Sequence, residues 1–477
     1  MELQRVLCRE DYRVQVTPRL HVRALVIIAV LAQAVVMWWT LKHMISPGGY
    51  SGLVYRAPNV GLYLAMVALT MAVAFLLPHR LNRPSDVILW IVFTITVAPS
   101  IQVPQYLQVI PIEQASVLGV MVAGCFLIAR GIGSLPPLVP RLTPPLVSPA
   151  SFWLVVAGLT VVVYAFVIVS TGISLSYLSF DNVYNVRAEF IGATTGIPIV
   201  GYGLPIVAGV VNPLIMAVGL LQRRFLFFIF GAAGQVVIYA TQGTKSTLFS
   251  IVFILAIAPL AHRRAAGSFI PFGFSVMAAA SALIDLRTHS VGLTGLLTRR
   301  VLIVPGALTA AYVSIYSDLP KVHFAELGFG QTPLLSTPHT VGRIFTGDIT
   351  ASANTSLFGH GYAQFGFFGI LVECIFFGIM LRCADWATTG LPPMIGAAMF
   401  IMPAAAISEA SIFTAFATHG FLAAVVLSAV APRSGWTRRG AESGLEAPDR
   451  IGRRHGSKSP PITTATHRQE DDRSESR

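Results

Sequence analysis

Residues 151–171 read SFWLVVAGLTVVVYAFVIVST, an apolar run that contains no charged side chain. A helix of roughly 20 such residues crosses the ~30 Å hydrocarbon layer of a membrane, so this stretch predicts a membrane-spanning helix. Similar runs recur along the chain, and we count about twelve of them between residues 23 and 431. The sequence therefore predicts an all-α, polytopic integral membrane protein.

The composition agrees with this class and excludes an ordinary soluble domain. The 477 residues are 54% hydrophobic and only 11% charged, whereas soluble domains carry about a quarter charged residues. No Walker loop or dinucleotide fingerprint follows a strand pattern, which argues against an ATP-driven motor in the same chain. The four cysteines lack metal-ligand spacing. We therefore expect no cofactor and no required metal ion.

The basic residues predict the orientation of the chain. If the N-terminus is cytoplasmic, short loops with pairs such as Arg223-Arg224 and Arg263-Arg264 lie on the cytoplasmic side, as the positive-inside rule requires. Both termini are then cytoplasmic. The formal net charge of +12 is explained by this topology and by attraction to anionic lipid, not by nucleic-acid binding. Arginine is common and lysine rare, which fits a GC-rich bacterial genome.

Three segments follow from these patterns. Residues 1–22 form a cytoplasmic N-terminal segment, and residues 23–431 form the transmembrane domain. Residues 432–477 are rich in Arg, Ser, Gly and Pro, so they cannot bury enough apolar surface to fold alone and are predicted to be disordered. A long polar interruption, from about residue 285 to 358, faces outward under this topology. Short interfacial helices are expected within it.

An adjacent pair of cations, Arg299 and Arg300, marks this outward loop. Neither has an acid close by in sequence, and their outward position runs against the positive-inside trend. Arginine binds phosphate through a planar, bidentate fork, so the pair indicates a site for an anionic ligand, for which a lipid-linked sugar pyrophosphate is the obvious candidate. The competing interpretation is that these arginines bind lipid headgroups, pair with acids elsewhere or lie beside span ends.

The order of several short motifs resembles a known family. The motifs are Tyr184…Arg187, Gly243-Thr244-Lys245-Ser246, Arg299-Arg300-Val-Leu-Ile-Val-Pro305-Gly306, Ala353-Asn354 and Gly361-Tyr362-Ala-Gln-Phe365-Gly366. In this order and spacing they resemble the O-antigen and capsule repeat-unit polymerases, which are Wzy-type membrane glycan polymerases. The resemblance covers roughly residues 174 to 381.

The resemblance implies a reaction and partners. Such enzymes transfer a growing glycan from undecaprenyl pyrophosphate onto another lipid-linked repeat unit, outside the cytoplasmic membrane and without nucleotide sugar or ATP. The implied fold is similar to that of GT-C-type membrane glycosyltransferases, which have an outward cavity. The implied partners are the lipid-linked oligosaccharide, membrane lipid, a flippase and a chain-length regulator.

Roles for individual residues follow from their chemistry and this resemblance. The expected pyrophosphate ligands are Arg187, Lys245, Arg299, Arg300 and Arg343, and the expected ligands of sugar hydroxyls are Asn354 and Tyr362. A general base for the acceptor hydroxyl is sought among outward residues; His360 is the first candidate and Glu409 the second, followed by His339 and His323. Glu373 lies inside a span, where an unpaired charge costs roughly 2.5–3.5 kcal/mol, so we expect it to be paired or neutral.

Two other functions stay open. An O-antigen-ligase-like glycosyltransferase would use the same donor with a different acceptor, and sequence hardly separates the two. A transporter or flippase of lipid-linked glycan would carry ionisable residues along a path through the spans and discontinuous helices at mid-membrane. Glu373 is almost the only acidic residue within a span, which favours surface chemistry over transport.

Overall fold

The computed structural model describes residues 2–47 (2–20 as backbone only), 52–136, 147–171, 190, 192, 199–243, 246–260, 263, 265–328 and 334–436. Every element in these ranges is a helix. The helices are α1 (His21–Ile45), α2 (Val60–Leu76), α3 (Pro84–Leu107), α4 (Ile112–Gly133), α5 (Pro149–Ser170), α6 (Val200–Leu221), α7 (Phe225–Gln242), α8 (Ser246–Pro259), α9 (Ala266–Thr288), α10 (Gly292–Asp318), α11 (Thr337–Thr346), α12 (Leu357–Phe365), α13 (Phe367–Thr388), α14 (Pro393–Ala406) and α15 (Ile412–Val430).

Among the described residues, 10 helices are long and apolar enough to cross a membrane, while α2, α8 and α14 are apolar but shorter. The prediction of an all-helical, multi-pass membrane protein is therefore confirmed. The number of about twelve spans stays a prediction. The backbone that leads into α1 is helical from Glu2. At the other end, the described chain continues to Trp436, and the tail beyond it lies outside the described residues.

Helix α3 lies at the centre of the bundle, because its whole membrane-length window is buried. Helices α10, α13 and α14 all pack on it. Such a helix, apolar on every side, is expected only in a core surrounded by other helices. Its turn at Phe93–Val97 is π-helical, and Pro99 and Pro104 interrupt its backbone donors. These interruptions leave room for neighbouring backbones to approach α3 closely.

One end of the bundle, which we call the Ile45 end, is defined by contacts between consecutive loops. The backbone N–H of Tyr55 donates to Ser46 Oγ at 2.9 Å, and that of Arg56 donates to the Tyr106 carbonyl at 2.8 Å. The hydroxyl of Thr294 lies 3.7 Å from Met44 Sδ. The last turns of α1 and α3 and the start of α10 therefore lie at the same end, which the arginine distribution predicts to be outside.

The opposite end, which we call the Pro84 end, is held by Asp385 and by the chain after α15. Ser85 donates its backbone N–H and its hydroxyl to Asp385, at 3.0 and 2.7 Å. Arg433 donates to the carbonyls of Ala387 and Ser428, at 2.8 and 2.7 Å. These contacts fix the start of α3 and the ends of α13 and α15 at one level, and Gly396, near the start of α14, also lies against Pro84 there. The predicted cytoplasmic loops belong to this end.

Helix α10 replaces much of the expected outward loop with one bent helix. Its start contacts Met44 through Thr294, and its last turn contacts α4, where Gln114 donates to Ser317 Oγ at 3.2 Å. Both termini therefore lie at the Ile45 end. Between them, Thr298 lies 3.2 Å from Ser281, which is about 10 Å of helix from the end of α9. We infer that α10 enters the bundle from the Ile45 end, bends, and leaves at the same end.

The bend has a local cause. Gly295–Ile303 is π-helical, and Pro305 stands in the first turn of the α-helical part that follows. Proline has no backbone N–H, so it favours a break in the helix at this point. Gly306 then lies directly against the Pro99 carbonyl of α3. The sequence motif around Pro305-Gly306 thus serves close packing of α10 on the central helix.

Replacing Gly306 by alanine is expected to destabilise the protein by about 1–3 kcal/mol, because a methyl group there overlaps the Pro99 backbone. Thermal unfolding of the purified protein in detergent measures this effect. The matched control is Gly124→Ala in α4, where a methyl group meets no atom within 4 Å. Equal unfolding temperatures for the two variants would contradict the close packing of α10 on α3.

Candidate functional site

The arginine pair lies on the limb of α10 that enters the bundle. Arg300 Nη2 is 3.2 Å from Glu409 Oε2, and each side chain is 49% exposed. Arg299 and Arg300 directly follow Thr298, so they lie about 10 Å below the Ile45 end. Charged side chains at such a depth are costly unless they face a water-filled space or a partner. Arg300 and Glu409 therefore form a half-exposed ion pair below the Ile45 end, which we call the Arg300 site.

Glu409 reaches the Arg300 site from a different part of the chain. Helix α14 starts at the Pro84 end and is 14 residues long, or about 21 Å, so it stops inside the bundle. The turn after it carries Glu409, whose backbone N–H donates to the Ala406 carbonyl at 3.0 Å. The sequence named Glu409 as a candidate general base. In the structure its carboxylate is the partner of Arg300, and a catalytic role for it stays a prediction.

His360, the first candidate base, is buried beside Glu373. Its Nδ1 is hydrogen-bonded to Glu373 Oε1, and its Nε2 lies 3.0 Å from Gln364 Nε2. The Gln364 amide is oriented by its oxygen, which accepts from the Phe324 backbone N–H at 2.6 Å. The Gln364 amide NH2 group therefore donates to His360 Nε2, and His360 Nδ1 donates to the Glu373 carboxylate. This network assigns a neutral imidazole that carries its proton on Nδ1.

The Glu373 carboxylate also holds the start of α15. Its Oε2 accepts the backbone N–H of Ile412 at 3.2 Å, so one fully buried carboxylate joins α12, α13 and α15. The expected partner for this intramembrane acid thus exists. Because Ile412 follows shortly after Glu409 in sequence, the same network anchors the turn that presents Glu409 to Arg300.

Aromatic rings close off His360 from solvent. Phe324 lies 6.5 Å from the His360 ring, 5.3 Å from Phe365 and 5.4 Å from Phe413, measured between ring centroids. His360 is only 9% exposed, and both of its nitrogens are hydrogen-bonded within the protein. For His360 to act as a general base, Gln364 must release Nε2 and the Phe324 loop must open. In the closed arrangement it positions helices, and its catalytic role stays a prediction.

Tyr362, a predicted sugar ligand, belongs to a cluster at the Ile45 end. Its hydroxyl lies 3.1 Å from Ser317 Oγ, and Lys321 Nζ lies 4.2 Å above its ring. Lys321 also donates to the Tyr316 carbonyl, and burial lowers the pKa of its ammonium group below the usual range. This cluster joins the end of α10 to α12, and the Tyr362 side chain is largely buried within it.

The other predicted ligands lie on the stretch between α10 and α12. Arg343 is an exposed residue of α11, a helix whose Ile344 and Phe345 are also exposed, as expected of a helix lying at a membrane surface. Asn354 is exposed, and its side-chain oxygen accepts from Ser352 Oγ at 2.9 Å. These two residues therefore remain accessible to a ligand.

The remaining candidates have other surroundings or are not described. His339 is hydrogen-bonded to Ser336 Oγ at 2.7 Å, and His323 stacks near Phe365 with 4.8 Å between ring centroids. Arg187 and Lys245, two of the predicted pyrophosphate ligands, lie outside the described residues. The structure thus pairs Arg300 with Glu409 and His360 with Glu373, and the members of each pair are not adjacent in sequence.

Sequence reasoning missed Gln364, the Phe324 backbone and the Ile412 N–H. Gln364 could have been found, since residues at i and i+4 of a helix lie on one face and His360 precedes it at that spacing. The other two groups are backbone donors from distant segments, which no residue type marks.

A comparison of the chain with models of protein families, with curated proteins and with solved structures finds no match. The resemblance to repeat-unit polymerases therefore rests on the quoted motifs alone.

Proposed function

We propose that the protein is a membrane glycosyltransferase that polymerises lipid-linked oligosaccharides and uses an undecaprenyl-pyrophosphate donor at the outer face of the cytoplasmic membrane. The observation that carries the proposal is the half-exposed Arg300 guanidinium on the bent helix α10, beside Arg299. Breaking a sugar–phosphate bond leaves negative charge on the pyrophosphate, and cations fixed beside that charge lower the barrier to that step.

The position of the Arg300 site fits a lipid-borne substrate. A pyrophosphate attached to a polyprenyl chain stays at the membrane interface, and Arg300 lies about 10 Å from the Ile45 end. The exposed Arg343 and Asn354 extend the polar surface along the stretch from α11 to α12. An exposed surface of this kind gives a hydrophilic glycan a route away from the membrane.

The test is an assay with purified protein and a synthetic undecaprenyl-pyrophosphate repeat unit. We expect a ladder of longer lipid-linked glycans, resolved by gel electrophoresis, with release of undecaprenyl pyrophosphate. Transfer of a single glycan to a different lipid acceptor, without a ladder, would favour the ligase-like alternative. No transfer to any acceptor would contradict the glycosyltransferase proposal.

A transporter of lipid-linked glycan is the second candidate. It is favoured by interrupted helices, since α3, α6 and α10 each contain a π-helical turn, and by the buried pair of His360 and Glu373. Discontinuous helices and intramembrane ionisable residues are typical of secondary transporters. Movement of labelled lipid-linked glycan between the leaflets of vesicles, with no change in its length, would support this candidate.

A further inference from the structure

Arg300 and Glu409 form one of the two hydrogen bonds that an arginine and a carboxylate can make. Arginine and a carboxylate can form two parallel hydrogen bonds, but the structure records one, between Nη2 and Oε2 at 3.2 Å. Both side chains are 49% exposed, so part of the guanidinium fork is accessible to a ligand. Ion pairs at this exposure are weak. An anion with more charge and a better-matched geometry can therefore replace the carboxylate.

The position of Glu409 is nevertheless fixed by its backbone. On one side, its N–H donates to the Ala406 carbonyl at 3.0 Å, at the end of α14. On the other side, Ser411 Oγ accepts the Thr414 N–H at 3.1 Å, and the Ile412 N–H donates to Glu373. The fold thus holds an acidic side chain beside Arg300, and only the side chain must move to release it.

The chemistry of a phosphate group suits this exchange. Phosphate and pyrophosphate oxygens accept both arms of a guanidinium and carry more negative charge than one carboxylate. Arg300 in turn needs a counter-ion at this depth when no ligand is bound, since an unpaired charge there is costly. A carboxylate that pairs weakly with the arginine has both properties. It neutralises Arg300 when no ligand is bound, and a phosphate group can displace it.

We propose that Glu409 is a resident anion on Arg300, which a pyrophosphate-type ligand must displace in order to bind. This inference rests on the proposed function, because it takes Arg300 as a pyrophosphate ligand. In this account Glu409 is a positioning residue that lowers the affinity of the site and promotes the release of the product pyrophosphate lipid. It does not touch the reacting atoms.

The experiment measures binding of inorganic pyrophosphate to the full-length protein in nanodiscs of phosphatidylcholine, by titration calorimetry. Glu409→Gln is expected to tighten binding by about fivefold, the range of an exposed ion pair. Arg300→Ala is expected to weaken binding, and the double variant should bind as Arg300→Ala does, because Glu409 acts only through Arg300. Asp318→Asn, which removes an exposed acid at the end of α10, is the control for net charge and should leave the affinity unchanged.

The outcomes separate this inference from the proposed function. If Arg300→Ala weakens binding but Glu409→Gln leaves it unchanged or weakens it, Glu409 is not a competing anion, while the anion site stands. If Arg300→Ala has no effect, the anion site itself is wrong. An equal gain in Glu409→Gln and Asp318→Asn would show a general charge effect and overturn the inference. Competition by undecaprenyl pyrophosphate added to the nanodiscs identifies the lipid-linked form as the source of the anion, and its failure to compete identifies a free anion.

Discussion

The variant Arg300→Ala is expected to lower the turnover of lipid-linked repeat units by about 10²–10³-fold, the effect of removing one fixed donor from a site of developing negative charge. Arg300 lies about 10 Å from the Ile45 end, and its side chain is half-exposed, so a lipid-linked pyrophosphate can reach its guanidinium. The initial rate of ladder formation, measured at saturating substrate, gives this effect directly.

Two further variants test whether the loss of activity is specific to the guanidinium of Arg300. Arg300→Lys keeps the charge but loses the planar fork, so it should recover only part of the activity. Arg287→Ala removes an exposed cation from the last turn of α9, and it should behave as the wild type. Equal losses in Arg300→Ala and Arg287→Ala would mean that both act through general surface charge, and the pyrophosphate role of Arg300 would then be wrong.

The variant Glu373→Leu is expected to cause the largest loss of stability, about 2–6 kcal/mol. The substitution leaves two buried donors, His360 Nδ1–H and the Ile412 N–H, without an acceptor, and each such group costs about 1–3 kcal/mol. The same carboxylate joins three helices, so its loss should also loosen the turn that carries Glu409. Thermal unfolding in detergent measures the first effect.

The control for this variant is Glu113→Gln, an exposed acid in the first turn of α4, which should change the unfolding temperature little. The double variant His360→Leu with Glu373→Leu should be more stable than the sum of the two single losses predicts, because replacing both partners removes one unsatisfied donor. Additive losses would mean that the pair is not an interacting unit. An unfolding temperature for Glu373→Leu equal to that of the wild type would contradict its role.

Much of the fold could be predicted from the sequence, because hydropathy over a window of helix length reports burial in lipid directly. Helix α10 was not predicted as one membrane-length helix, and the cause is physical. Its apolar residues are interrupted by Arg299 and Arg300, and it is the least hydrophobic of the membrane-length helices described. The polar interruption therefore predicted an outward loop with short interfacial helices, whereas the chain forms one longer, bent helix over Gly292–Asp318.

The candidate site was only partly predictable. The residue types were informative, since an arginine pair with no acid close by in sequence and an intramembrane acid each required a partner. The identity of the partners depends on where α10 bends and where α14 ends, and the local sequence determines neither position. Glu409 is 109 residues from Arg300, so its pairing could only be found once the helices were packed.

The most direct test of the proposed polymerase uses proteoliposomes in which the Ile45 end faces outward, with undecaprenyl-pyrophosphate repeat units supplied from that side only. We predict a ladder of longer lipid-linked glycans on the outer leaflet, whose formation Arg300→Ala slows by about 10²–10³-fold and Arg287→Ala leaves unchanged. Repeat units that keep their original length and move to the inner leaflet would contradict it, because the protein would then carry its lipid substrate and not extend it.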